Sequence, residues 1–401
     1  MKKKKILLQC QGIVYYYMGL AAIYTKYPDR NVEVDVLFSS AKNGLILDEF
    51  TEKIRKSKYA KNVYSVFFNR PYIYDKMLTT EKNIVNTIKY HFIYKYKLIK
   101  GIKSQIKLKN NYSEIFFSHE QGNMLITSLK ILYPKANFVA YGDGSGLISG
   151  RKYKASGKVN KDYKFFKEIV PDEIICLLAY MFDESIDIKD VPINATDKEL
   201  LKGLIINDTA VQNEINDYTD EILDKYSDCE KNILLTSQLD NELYLMSSEN
   251  QIKVYADIID KYCSDGSLLI LKTHPAADKT FLQNIIDKCH KNVTIIELPK
   301  YLSKYPIEVF YKLLMKSDRV ITFVSSSKLS LSYTFGIDCT EAYDIIEKYP
   351  MKHYSAIILD AYKTIFERIL QWDKKSLIYK DNIRPRLEQI VKYNKNYPDG
   401  A

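Results

Sequence analysis

A chain of 401 residues is long enough for two domains, and its 46% hydrophobic and 27% charged residues are the composition of a globular protein with a core for each. The formal net charge of +9 favours anionic partners such as nucleotides, acidic glycans or membrane surfaces. The charge is diffuse and comes with no zinc-finger spacing, aromatic RNA-binding strand or basic zipper, so no nucleic-acid partner is expected.

The opening Met1-Lys2-Lys3-Lys4-Lys5 has the look of a signal peptide, but the apolar run Ile6-Leu7-Leu8 stops at Gln9. Three residues are too few for a signal core or a spanning helix, and they read as a lysine-flanked first strand. In chain order the predicted strands of the first half are 6–10, 32–38, 62–67, 114–117 and 137–141. Helical spacing lies between several of them, as at Ile84, Val85, Ile88 and Phe92. This alternation predicts a parallel sheet covered on both faces. From about 151 to 230 the alternation stops, and Pro171 and Pro192 punctuate a charged stretch expected to be helical and to end in a linker.

Strands resume at 233–238, 268–273, 293–298 and 319–324, with helices at about 247–263, 277–290, 307–316 and 326–335. The expected organisation is an N-terminal Rossmann-like acceptor domain over 1–225 and a C-terminal Rossmann-like donor domain over 226–375. A helical segment over 376–401 is expected to pack back toward the first domain. No stretch has the length to cross a bilayer, which predicts a cytoplasmic protein. The six scattered cysteines form no Cys-x-x-Cys pair, fitting reduced, mostly buried thiols.

In open α/β sheets ligands bind beyond the carboxyl ends of the strands, so the residues after each strand carry the chemistry. Three such places stand out: Tyr141-Gly142-Asp143-Gly144-Ser145-Gly146, Lys272-Thr273-His274-Pro275 and Ser325-Ser326-Ser327. Serines at a strand-to-helix turn cap a helix, or add hydroxyl donors to backbone N–H groups that already favour phosphate. His274 is placed either to structure its turn or to donate to a departing phosphate, with Lys272 beside it. Asp143 between glycines is either a turn residue or a base for an attacking hydroxyl.

An acidic-Gly motif, then His-Pro, then Ser-Ser, spaced about 130 and about 50 residues apart, resembles the ordered signature of bacterial sialyltransferases. These include lipooligosaccharide sialyltransferases and capsular polysialyltransferases. The resemblance implies an α/β, glycosyltransferase-B (GT-B) fold, two Rossmann-like doubly wound domains facing a central cleft. It implies CMP-N-acetylneuraminate as donor, an oligosaccharide acceptor, inversion, and no metal or other cofactor. Carried over, Asp143 is the base, His274 the acid or phosphate ligand, and Ser325 and Ser326 the phosphate holders. Glu308, in Pro306-Ile307-Glu308, is the ribose acceptor; otherwise it is a helix N-terminal Glu favoured by the dipole. Lys272, Pro275 and Ser327 complete the donor side. Gln11, Gly12, His119 and Gly144 are the acceptor-side candidates. The family pattern has two acids before the Gly, and here the first position is Gly142.

The expected acceptor hydroxyl belongs to galactose, with α2,3 the leading linkage, or to a terminal sialic acid. Two other readings compete. A CDP-alcohol phosphotransferase of the teichoic-acid type also releases CMP but needs paired His motifs, and only His274 has the setting. A non-catalytic binder of anionic glycans has no use for both Asp143 and His274. From 82 to 113 there are eight Lys and no acidic residue. That stretch, centred on 82–109, reads equally as a ledge for an acidic glycan, a peripheral contact with an anionic membrane, or a solvated helix face.

Overall fold

The computed structural model describes residues 3–40, 44–67, 84–106, 111–118, 123–143, 170–179, 191–235, 247–272, 281–322 and 327–349. The chain divides into two compact units, Met1–Val211 and Gln212–Ala401. The segment 376–401, expected to pack back on the first domain, lies outside the described residues.

Unit 1 is a seven-stranded sheet, all pairs parallel, in the order β3-β2-β1-β4-β5-β6-β7. Its strands are β1 (Lys4–Cys10), β2 (Val32–Ser40), β3 (Asn62–Phe67), β4 (Glu114–Ser118), β5 (Asn137–Gly142), β6 (Glu173–Cys176) and β7 (Ile193–Ala195). The described helices of its first part are α1 (Ile13–Lys26), α2 (Gly44–Arg55), α3 (Ile84–Gln105) and α4 (Asn123–Leu132). Every residue of β4 is buried, as befits a central strand covered on both faces, whereas edge strand β3 is partly exposed. One core side joins Leu7, Leu37, Ile115, Phe117 and Phe138 to Leu98, Ile102 and Leu129 of the covering helices.

The expectation of helix throughout 151–230 is corrected by β6 and β7. Each is shorter than an ordinary strand and follows a proline, so neither stands out as a strand in the sequence. Specific bonds hold them. Pro192 C=O accepts the Ile174 N–H at 2.9 Å, and Asp172 Oδ2 accepts the Phe138 N–H at 2.7 Å. At the amino ends, Lys26 Nζ lies 3.0 Å from Glu114 Oε1 and 2.5 Å from Glu173 Oε2. The Asn194 amide donates to Glu173 Oε1 at 2.8 Å, so one lysine at the end of α1 organises β4, β6 and β7.

The helical part of that expectation is met by a pair of helices, α5 (Lys198–Asn207) and α6 (Thr209–Lys225), joined at Asp208. The buried Asp208 carboxylate accepts from Tyr17 Oη at 3.2 Å and Ser57 Oγ at 2.9 Å. Its burial holds its carboxyl above the ordinary carboxylate range, against the hydrogen bonds from Ser57 and Tyr17.

Unit 2 is a five-stranded sheet, again all parallel, in the order β10-β9-β8-β11-β12. Its strands are β8 (Lys231–Leu235), β9 (Leu268–Lys272), β10 (Thr294–Glu297), β11 (Arg319–Thr322) and β12 (Cys339–Glu341). The described helices up to β10 are α7 (Ser248–Tyr262) and α8 (Phe281–Ile286). After β10 come α9 (Lys300–Ser303), a 3-10 turn (Ile307–Phe310) and α10 (Tyr311–Met315). After β11 come α11 (Ser327–Ser330), a π turn (Leu331–Phe335) and α12 (Tyr343–Ile346). The predicted helices 307–316 and 326–335 are therefore each a short α segment joined to a 3-10 or π turn. The three-residue β12 was not predicted.

The two-domain α/β class expected from the sequence is thus the observed one, with a Rossmann-type strand order in each unit. All six cysteines are free, and four are buried. Among the described residues no helix is long and apolar enough to cross a membrane.

Helix α1 lies close against the sheet because Gly19 has no side chain. A Cβ there would stand 2.3 Å from Leu8 Cδ1 and 2.9 Å from Tyr141 Cζ. Both neighbours are fully buried, so neither yields easily. Gly19→Ala is expected to cost about 1–3 kcal/mol by overpacking, read as a lower urea midpoint at unchanged slope.

Candidate functional site

The strand order changes direction between β1 and β4 in unit 1 and between β8 and β11 in unit 2. Those are the points where a doubly wound sheet opens for a ligand. Among the described candidates, Asp143 and Lys272 fall at strand ends, and the two units are taken in turn.

In unit 1, Gln9 ties the strand ends together. Its side-chain amide donates to Ser39 Oγ at 2.9 Å, and its Oε1 accepts the Ser118 N–H at 3.3 Å. Its backbone C=O accepts Tyr141 Oη at 2.7 Å. The last residues of β1, β2, β4 and β5 are thereby fixed relative to one another. Gln9 is itself fully buried and structural. Gln11 and Gly12 follow β1 and are half-buried. Gly12 begins α1 with extended backbone (φ −171°, ψ 179°) and supplies no side-chain cap, and the first turn of the helix has no acidic residue. Ser118 Oγ at the end of β4 is buried without a hydrogen-bond partner.

Asp143 sits half-buried one residue beyond β5. Its C=O accepts the Leu178 N–H at 3.0 Å, and the Gly142 C=O accepts the Leu177 N–H at 3.0 Å. The backbone that carries the carboxylate is therefore continued by bonds to the chain after β6, a strand that sequence reasoning missed. Its charge reaches Cys176, whose thiol is pushed far up, first by burial and then by Asp143. Gly142 has a φ of +153°, a conformation that side-chain-bearing residues rarely adopt. This accounts for glycine where the family pattern has a first acid.

In unit 2, Lys272 ends β9 and is only 9% exposed. Its ammonium donates to the Ser303 C=O. Burial pulls its pKa down to about 8, against the opposing charges of Glu308 and Glu297. Glu308, in the 3-10 turn, is 5% exposed, and its Oε1 accepts a hydrogen bond from Ser330 Oγ. The Ser327 C=O lies 3.0 Å from the same hydroxyl. Glu308 and Ser327 are thus joined by Ser330, which sequence reasoning did not single out, and Glu308 is close enough to act on the Lys272 charge. The one signal of Ser330 is its position, a helical turn after Ser327.

Two more unpredicted groups lie nearby in the chain. Lys328, almost wholly buried, pairs with Glu341 of β12. Thr322 Oγ1 at the end of β11 is buried without a partner. His119, Gly144, His274, Pro275, Ser325 and Ser326 lie outside the described residues. Among the described residues no group of three or more His, Cys, Asp and Glu side chains is arranged to hold a metal.

Residues 194–342 match the model of the alpha-2,8-polysialyltransferase family. The stretch contains Lys272, Glu308, Ser327 and Ser330; Asp143 lies before it. The match bears out the resemblance to bacterial sialyltransferases. An uncharacterized protein of Haemophilus influenzae is 30% identical over 213 residues, 49% of this chain and 60% of that protein. The chain thus spans about 60% of the length of this curated relative.

Solved structures of similar fold include the S. aureus MnaA-UDP co-structure, at 13% identity and TM-score 0.48, covering 99% of this chain and 98% of that one. The UDP-GlcNAc 2-epimerase of Neisseria meningitidis bound to UDP-GlcNAc is 10% identical with TM-score 0.45, covering 98% of this chain and 100% of that one.

The backbone at Gly142 gives a direct test. Gly142→Ala is expected to destabilise by about 1–3 kcal/mol through strain at positive φ. Gly142→Asp, which supplies the second acid of the family pattern, is expected to destabilise at least as much. Thermal unfolding of both variants beside wild type measures this.

Proposed function

We propose that this protein is an inverting sialyltransferase that moves N-acetylneuraminic acid from CMP-N-acetylneuraminate to a glycan hydroxyl. The observation that carries the reading is the family match over 194–342, inside which Glu308 is bonded to Ser330 and acts on the charge of Lys272. Of the two acceptor classes expected, galactose and terminal sialic acid, the description of the matched family favours the second.

In the proposed displacement the bond from the anomeric carbon to the CMP phosphate oxygen breaks, and its electron pair leaves with CMP. The acceptor oxygen attacks from the opposite face and forms the new bond, while Asp143 takes its proton. His274, Ser325, Ser326 and Ser327 stabilise the charge growing on the phosphate, with Pro275 also on the donor side. Such stabilisation lowers the barrier because it strengthens toward the transition state. Glu308 accepts from ribose hydroxyls, and Ser330 sets the plane of its carboxylate. Lys272 adds a positive charge behind the phosphate. Gln11, Gly12, His119 and Gly144 face the acceptor. The displacement uses no metal and no cofactor beyond the donor, and it takes place in the cytoplasm.

Incubation with CMP-N-acetylneuraminate or with CDP-glycerol, following CMP release, tests the reading. Release from the first donor onto a sialylated oligosaccharide or lactose is expected; release from CDP-glycerol alone would replace it with the phosphotransferase reading. Asp143→Ala and His274→Ala are each expected to lower turnover by about a hundredfold or more, and a variant of full activity removes that residue from the mechanism.

The Lys272 pKa of about 8 adds a pH signature. The cation is present below that pH and lost above it. Between pH 7 and 9, kcat/KM for the anionic donor is expected to fall about tenfold, and Lys272→Arg, which keeps its charge, is expected to flatten the fall.

A further inference from the structure

Helix α3 buries one face and leaves the other unpartnered. Leu98 and Ile102 enter the core of unit 1, and Ile106 follows them at the helix end. On the opposite side Phe92 is 70% exposed, Tyr96 67% and Ile93 39%. Lys97, Lys100 and Lys103 are exposed as well. At 100° per residue, Phe92, Ile93, Tyr96, Lys100 and Lys103 fall within an arc of about 100°. The N-terminal part of this face is apolar and its C-terminal part basic, and no Asp or Glu occurs between 82 and 113 to offset the charge.

A face that only needed solvation has no reason to hold an aromatic ring, a branched aliphatic chain and a second ring in contact with water. The three are adjacent and together form a patch. A second copy of the chain is a poor occupant, because two such faces would bring like charges together. An acidic glycan would be bound by hydrogen bonds along a groove, whereas Phe92 and Ile93 offer none and a single helix face is convex. Rings that enter the boundary between headgroups and acyl chains, beside lysines that meet anionic headgroups, are the chemistry of an interfacial helix.

We propose that the outer face of α3 docks this protein onto an anionic lipid bilayer, with Phe92, Ile93 and Tyr96 inserted and Lys97, Lys100 and Lys103 on the headgroups. The inference is independent of the transferase reading.

The test is co-sedimentation of the full chain with phosphatidylcholine vesicles that contain or lack phosphatidylglycerol. Binding is expected only with phosphatidylglycerol and is expected to weaken with salt. Combined Lys97→Glu, Lys100→Glu and Lys103→Glu should weaken it by about a hundredfold, on the order of fivefold for each lysine. The glutamine version of the triple variant, milder toward the fold, should weaken it in the same direction. Phe92→Ser with Tyr96→Ser should weaken binding about tenfold, and Phe92→Trp should preserve it. Circular dichroism checks that each variant is folded. No vesicle binding by wild type, or equal binding by the charge and aromatic variants, overturns the proposal. So does tighter capture by dextran sulfate that is insensitive to Phe92, which would make the face a polyanion site.

Discussion

A parallel strand with helices on both faces has no side on which to put a polar residue, and this constraint decides where chemistry can sit in the chain. The central strands β4, β8 and β9 are buried along their whole length. Polar atoms are pushed to the strand ends, where each must find a partner or meet a ligand. Gln9, on β1, shows the first outcome, satisfied by groups at the ends of three other strands. Lys272 and Glu308 show the second kind of place, a buried cation bonded to a backbone carbonyl and a buried carboxylate bonded to a hydroxyl, within electrostatic reach of one another.

The same constraint governs what could be read from sequence. The strands β1 to β5 are short apolar or alternating segments separated by helix-length stretches, and the structure begins or ends them within two residues of the expected bounds. Strands β7 and β12 have only three residues each, and β6 opens an apolar run but sits after Pro171 in a stretch that reads as helical. Lys26 with Glu173 and Asn194, and Pro192 with Ile174, hold β6 and β7 in the sheet, and these partners are far apart in the chain. Nothing local announces them. Likewise Pro306 and Ser327 announce helices correctly, but not that the first begins as a 3-10 turn or that the second ends as a π turn.

For the candidate site, residue types at strand ends were legible because the fold class says where to look. Asp143 and Lys272 occupy such positions, and Glu308 and Ser327 lie in the turns that open the helical segments after β10 and β11. Their supports were not legible. Ser330 is 22 residues from Glu308, and the chain beyond β6 that bonds to Asp143 belongs to a strand hidden in the sequence. The glycine at position 142 looked like a missing acid and is explained only by its φ of +153°.

The Asp208 junction has a consequence for how unit 1 is made. Tyr17, in the first helix, donates to a carboxylate 191 positions later, and Ser57 donates to the same group. Strand β7 too comes only after residue 192. During synthesis from the N-terminus, the first three strands leave the ribosome long before the groups that complete their sheet and satisfy their helix. The early half of this unit must therefore wait, incompletely paired, for its closing helices, and that interval is when a cell's chaperones have most to do for it.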